Sequence, residues 1–291
     1  MGLAINAFTS DIWFTESAAS KIGILTTAGT ISTPEPLTPT AHSGPNQIAS
    51  GPNDFLWFSE TGIGKIGQIT INSPFVITEF LLAKTARPTA IALGSDGNMW
   101  AVDPVTSAIW RVSQKGVVGT PCALPAGANP TSIVSGSDGA MWFTEAGLNK
   151  IGRLSVTGLT SCGTLSQFNV PAHNAGLSTL VTANDGSLWF TEHNAKKLGR
   201  MLVTGHVTNE YPLSPATGPA GLVQGIDNNF YFSDPGTNQI GQFTTSTGKV
   251  KLFKIPTADA QPGTMILGPD QQVYFVETGA NKIGQFKYFC C

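Results

Sequence analysis

The chain has 291 residues, a formal net charge of −2, only 12% charged side chains and 33 glycines. It is too apolar for a disordered segment and too poor in Lys, Glu and Leu for a helical protein. It has no cluster of Lys and Arg able to neutralise phosphates, which argues against a nucleic-acid partner, and no apolar run of about 18 residues that would span a membrane as a helix.

In chain order, an aromatic anchor recurs. WFTESAASKIG begins at Trp13, WFSETGIGKIG at Trp57, WAVDPVTSAIW at Trp100, WFTEAGLNKIG at Trp142, WFTEHNAKKLG at Trp189, YFSDPGTNQIG at Tyr231 and YFVETGANKIG at Tyr274. The anchors are 42–47 residues apart, so seven units fill residues 1–291 as a single domain. Each unit reads as four short strands. An apolar strand follows a Pro or Gly, as in PTAIALGSDG from Pro88 and PTSIVSGSDG from Pro130. A turn comes next, such as Asp96-Gly97, Asp138-Gly139 or Asp185-Gly186, a strong short-range hairpin signal. The anchor strand and the KIG strand follow, and the fourth strand is the EF, QF or EY stretch around Phe80, Phe168, Tyr211 and Phe253. Four-stranded units of this length, repeated seven times without a 3.6-residue period, predict an all-β, seven-bladed β-propeller. The last unit ends soon after its third strand, so its blade is expected to be incomplete.

The anchor strands end in Glu16, Glu60, Asp103, Glu145, Glu192, Asp234 and Glu277. Five residues later stand Lys21, Lys65, Ala108, Lys150, Lys197, Gln239 and Lys282. Every unit with Glu has Lys and both units with Asp lack it, which predicts a partly exposed Glu–Lys partnership across the hairpin, worth about 0.2–1 kcal/mol. Seven copies are more than one catalytic constellation needs, so the repeated acid reads first as structure. The loop entering the first strand and the loop leaving the second share one end of each blade. Asn46, Thr89, Thr131, Ser178 and Gln261 are therefore expected to line a shallow polar funnel, with Arg87 the cation placed to grip an anionic ligand.

The order P-x-x-I, G-x-D-G, WFTE, NKIGR and F-x-x-P resembles the streptogramin lyases, the virginiamycin B lyase family, over all seven units. The resemblance implies a seven-bladed propeller that opens a cyclic depsipeptide by Mg2+-assisted elimination. It implies a general-base His just after the Pro of the last blade's inner strand, a Glu two residues before it and another Glu at the end of the following strand. In the segment QPGTMILGPDQQVYFVE the base position is Gly263, the first Glu position is Gln261, and Glu277 alone matches; a family His in the preceding blade maps to Ala220.

Three readings follow. The first is a family member without the usual base that binds a small molecule, glycan or peptide in the funnel. The second is a Mg2+-dependent carbon–oxygen lyase with a relocated base, His173 or His193, and Glu192 and Glu277 as metal ligands. The third is an extracellular interaction module that uses its rim. Of the other histidines, His42 lies in the loop entering blade two, and His206, in a turn at the opposite end, reads as solvated. Sparse charge and abundant hydroxyl side chains suggest a secreted or periplasmic bacterial protein whose leader has been removed, with a cytoplasmic location left open. Cys122 and Cys162 are expected to be free thiols, and adjacent Cys290 and Cys291 are poorly placed to pair with each other.

Overall fold

The computed structural model describes residues 1–6, 8–33, 35–156 and 162–288. Among them there is no helix, and the strands form seven antiparallel sheets, the blades of a seven-bladed propeller. The chain divides into two compact units, residues 1–148 with 152–167 and residues 149–151 with 168–291. In the first, blade one is Leu3–Ile5, Ile12–Glu16 and Lys21–Leu25, and blade two is Pro45–Ser50, Phe55–Glu60, Lys65–Thr70 and Ile77–Leu81. Blade three is Ala90–Leu93, Met99–Asp103, Ala108–Val112 and the two-residue Cys122–Ala123; Pro130–Ser135, Met141–Glu145, Lys150–Leu154 and Leu165–Asn169 make blade four. In the second unit, blade five is Leu177–Thr182, Leu188–Glu192, Lys197–Met201 and Val207–Pro212, and blade six is Leu222–Gln224, Phe230–Asp234, Gln239–Thr244 and Lys249–Lys254. Blade seven is Pro262–Leu267, Val273–Glu277 and Lys282–Phe286, with three strands as expected. Blade one also has only three. Its third strand is flanked by an irregular segment that touches it through the isolated bridges Leu25–Ile31 and Lys21–Leu37.

The repeated letters are largely explained by packing within the blades. The Trp anchors and Tyr231 are buried and Tyr274 is half-buried, and in four blades the polar edge donates to the acid of the preceding turn: Trp100 Nε1 to Asp96 (3.1 Å), Trp142 Nε1 to Asp138 (3.0 Å), Tyr231 Oη to Asp227 (2.8 Å) and Tyr274 Oη to Asp270 (3.1 Å), while in blade five Trp189 Nε1 donates to Ser187 Oγ (3.1 Å). The change from Trp to Tyr in the last two blades thus keeps the donor. Blades one and two have Thr9 and Asn53 four residues before the anchor, and there the Nε1 atoms of Trp13 and Trp57 are buried without a partner. The Phe after the anchor lies flat over the Gly of KIG, its cross-strand neighbour, as in Phe58 over Gly67 and Phe190 over Gly199. A Cβ on those glycines would stand 2.2 and 2.1 Å from the ring. Blade three exchanges the pair, with Ala101 opposite Trp110.

The hydroxyl of WFTE or its Ser equivalent stitches inner strands together. Ser59 Oγ accepts from Gln47 N (3.1 Å) and donates to Thr89 O of the next blade (3.0 Å). Thr191 Oγ1 accepts from Thr179 N (2.9 Å) and donates to Ala220 O (3.1 Å). These bonds fall where the inner strand slips register, between Pro45 and Ile48 and between Leu177 and Leu180. The Asn before Lys or Gln has a positive φ, 56° at Asn149 and 57° at Asn238. Its amide braces the loop into the next blade: Asn149 donates to Ala172 O and accepts from Ala175 N, both 2.8 Å.

Cys122 and Cys162 form a disulfide with Cα atoms 5.4 Å apart, correcting the expectation of free thiols. Cys122 starts the short outer strand of blade three and Cys162 lies outside the strands of blade four. Cys290 and Cys291 lie outside the described residues.

Candidate functional site

The register brings the start of each inner strand opposite the end of its neighbour, as anticipated: Pro45 faces Glu60, Pro130 faces Glu145, Leu177 faces Glu192 and Pro262 faces Glu277. Glu16 is partly exposed, but the other glutamates of the series are not. Glu60, Glu145 and Glu192 have 0% exposure and Glu277 has 5%. Nor do Lys65 and Lys197 close ion pairs with Glu60 and Glu192, although the register sets Glu60 opposite Lys65 and Glu192 opposite Lys197. The lysines reach outward instead, Lys65 to Glu79 (2.5 Å), Lys197 to Glu210 (2.7 Å) and, in blade one, Lys21 to Glu35 (3.3 Å). Glu79 and Glu210 belong to fourth strands, and Glu35 to the segment that flanks blade one. The covariation of Glu with Lys was read correctly but its partner was misassigned. A single ammonium cannot serve two carboxylates equally, and it serves the more accessible one.

The inner carboxyl is left in a low-dielectric site beside a second acid. Both oxygens of Glu60 and of Glu192 are buried without a hydrogen-bond partner. Burial, with the charge of Glu79 behind it, pushes Glu60 up to about 8, against the pull of Ser43 and Lys65. Burial and the charge of Glu210 push Glu192 up to about 7, with Lys197 opposing. Burial works against ionisation of Glu79 too, but hydrogen bonds from Lys65 and Thr40 outweigh it and hold that carboxyl below its usual range. Near pH 7 Glu60 is therefore largely neutral and Glu192 about half protonated. The aspartates behave differently because they are one methylene shorter. Asp103 accepts from the backbone of Val105 and Thr106, and Asp234 from Thr217 and Gly218, so neither needs a lysine.

In the first unit, Asn46 O accepts from Thr15 Oγ1, Thr131 Oγ1 bonds Thr144 Oγ1 (2.7 Å), and the Thr89 hydroxyl is buried without a partner. Arg87 donates to Ala86 O (2.6 Å) and Lys84 O (3.0 Å), which ties it to its own loop. A cavity of about 610 Å3, lined by Asp96, Arg111, Lys115 and Val117 among others, lies at the turn end of blade three, the end opposite Thr89. In the second unit, Ser178 follows the first residue of an inner strand, and Gln261, exposed and at φ 49°, uses its carbonyl to accept from Thr278 Oγ1 (2.7 Å). His173 and His193 are exposed while Glu192 is buried, so alternation along the chain sends Glu192 and His193 to different surroundings. The His193 Nδ1 stands 3.3 Å from Pro219 O. Among the described residues no three His, Cys, Asp or Glu side chains converge as a metal site. Mg2+ prefers an octahedral shell of oxygens from carboxylates and water, and Glu192, with 0% exposure, is not placed to offer one.

The sequence profile of the virginiamycin B lyase family matches residues 3–162 and 155–288. The chain belongs to the virginiamycin B lyase family. Among solved structures, a streptogramin B lyase is 30% identical with a TM-score of 0.88, over 98% of this chain and 91% of that one. Virginiamycin B lyase from Staphylococcus aureus is 27% identical, TM-score 0.86, over 98% and 93%. A catalytically inactive variant of that Staphylococcus aureus enzyme, solved with quinupristin, gives 27% and 0.87 over the same shares. A comparison with curated protein sequences found no match. Within the family pattern described above, the last blade here presents Pro262 followed by Gly263, whose absent Cβ would meet Val276 Cγ2 at 3.1 Å. Sequence reasoning missed the stitching hydroxyls and the Gly–Phe contact, although the signal was present: a Thr or Ser stands two residues after five of the seven anchors and a Gly ten residues after six. It also missed the fourth-strand acids of blades two and five, which no such recurrence marks.

Proposed function

We propose that this member of the virginiamycin B lyase family binds a small molecule, glycan or peptide at the inner-strand end of its last three blades and does not catalyse the family's elimination. The observation that carries the reading is the last blade. Gly263 has no side chain to accept a proton, Gln261 is a neutral amide, and Ala220 is inert. Glu277 remains, but it is buried and has an equivalent in every blade. His193, the histidine beside an inner acid, points a ring nitrogen at a backbone carbonyl. The Cys122–Cys162 disulfide supports export to an oxidising compartment.

The test uses quinupristin with Mg2+. Ring-opening elimination conserves mass, so product is sought by chromatography and fragmentation, while binding is followed by calorimetry. Binding of quinupristin, or of a glycan or peptide in a thermal-shift screen, without a ring-opened product is the expected result. Turnover that disappears in His193→Ala would replace this reading with the relocated-base lyase. Silence across the screen would shift it to an interaction module.

A further inference from the structure

Blade seven carries an open edge that the other blades show how to fill. In six blades the residue after the Lys position of the third strand is sealed: Ile22, Ile66, Ile109, Ile151 and Leu198 have 0% exposure and Ile240 has 1%. Ile283, the seventh, is only partly buried, and its strand Lys282–Phe286 has exposed residues at Lys282 and Gln285. Among the described residues the strand pairs on one side only, with Val273–Glu277. Its free side therefore presents backbone donors and acceptors together with a half-covered isoleucine, the condition under which an edge strand recruits another chain. Tyr288, two residues past the strand, is already committed elsewhere, with its ring 4.5 Å from that of Tyr231 and its hydroxyl accepting from Ile226 N.

The complete blades specify the missing strand. In blade two Phe80 opposes Ile66 and Glu79 opposes Gly67; in blade five Tyr211 opposes Leu198 and Glu210 opposes Gly199. In both, the acid takes the third-strand lysine, at 2.5 and 2.7 Å. Blade seven keeps the receiving half of this arrangement in Lys282, Ile283 and Gly284. Lys282 is exposed and joins none of the ion pairs among the described residues. One oxygen of Glu277 beneath it is buried without a hydrogen-bond partner.

We propose that the outer edge of blade seven binds an extended segment of a partner protein by antiparallel strand addition, with an acid set against Gly284 and Lys282 and a Phe or Tyr directly after it set against Ile283. Backbone pairing supplies affinity and the acid–aromatic pair sets register and choice of partner. The chain's own fourth strand serves as the probe. A fluorescein-labelled peptide VTNEYPL, the sequence of residues 207–213, is titrated by anisotropy. Saturable one-to-one binding is expected. Replacing the peptide's Glu by Lys weakens it about tenfold, equivalent to about 1.4 kcal/mol. Lys282→Glu weakens the Glu peptide similarly and restores the Lys peptide. Because Lys282 is exposed, circular dichroism of that variant should be unchanged. Absence of saturable binding, equal binding of a scrambled peptide, indifference to the charge exchange, or an edge-to-edge dimer in place of the one-to-one complex would each overturn the proposal.

Discussion

Substituting Gly67 by Ala adds one methyl group at a place where there is no room for it. An ideal Cβ would sit 2.2, 2.3 and 2.8 Å from the Cζ, Cε2 and Cε1 atoms of Phe58, whose side chain is fully buried. The ring cannot retreat without leaving its rotamer, and overpacking of this kind costs about 1–3 kcal/mol. Gly67 has no positive φ, so Ala adds no backbone strain, and restricting the unfolded chain returns only about 0.4–1 kcal/mol. Phe58→Ala alone leaves a cavity and costs about 3–5 kcal/mol. In the Phe58→Ala background, however, the methyl of Gly67→Ala projects into vacated space. The substitution should then be neutral or stabilising, giving a coupling energy within the usual 0.5–3 kcal/mol of contacting residues. Blade three already carries the exchanged form, Ala101 with Trp110. Urea unfolding of the wild type, both single variants and the double variant measures the cycle. Additive losses, or a harmless Gly67→Ala in the wild type, would show that the Phe-over-Gly contact does not explain the KIG glycine.

Three further outcomes follow from the same packing. For Glu60 and Glu192, whose folded-state values of about 8 and 7 exceed the ordinary 4.5, the folded protein holds the proton longer than the unfolded chain. Their contribution is complete below about pH 4.5 and is lost as pH rises towards 8, so melting temperature should fall across that window; Glu60→Gln should flatten the slope and stabilise at pH 8, whereas a uniform loss of about 3–5 kcal/mol would mean a buried ion pair after all. Thr191→Val should cost about 1–3 kcal/mol by stranding Thr179 N–H and Ala220 C=O, since Val102 and Val276 show that the shape is accepted at this position; equal urea midpoints would refute the stitching role. Reducing Cys122–Cys162, which spans 40 residues, should cost about 4 kcal/mol by releasing the unfolded chain, and alkylation of the native protein followed by mass measurement should find neither thiol labelled.

The architecture was legible because its signal is repeated. One aromatic anchor at an irregular position would say little, but seven at nearly constant spacing leave a four-stranded unit as the natural reading. The incomplete last blade was visible for the same reason. The acids show where legibility stops. Sequence offsets located Glu60 and Lys65 correctly in register, yet partner choice depends on which of two carboxylates is more accessible. Glu79 lies fourteen residues beyond Lys65 and across another hairpin. The disulfide escaped for a related reason: the fourth strand of blade three is only two residues long, and its shortening is not signalled by any fixed offset from Trp100. His193 and Glu192 are adjacent in sequence and looked cooperative, but Glu192 ends its strand buried while His193 opens the turn beyond it, exposed.

A repeat that uses nearly every conserved letter for packing leaves chemistry only to the places where copies differ. Blade three differs in Ala101, Val102, Asp103 and Trp110, and each difference has a structural counterpart: the exchanged aromatic, the missing hydroxyl, and the short acid that caps its own loop. Those changes conserve volume or hydrogen bonding and so preserve the blade. The differences in blade seven do not compensate one another. Gly263 replaces no lost partner, Ile283 is left half covered, and Lys282 keeps a charge that blades two and five neutralise with a fourth-strand acid. Uncompensated departures from a locally consistent pattern are where natural proteins place function. On that ground the last blade is the part of this propeller in which recognition should be sought first, at the start of its inner strand and along its open outer edge.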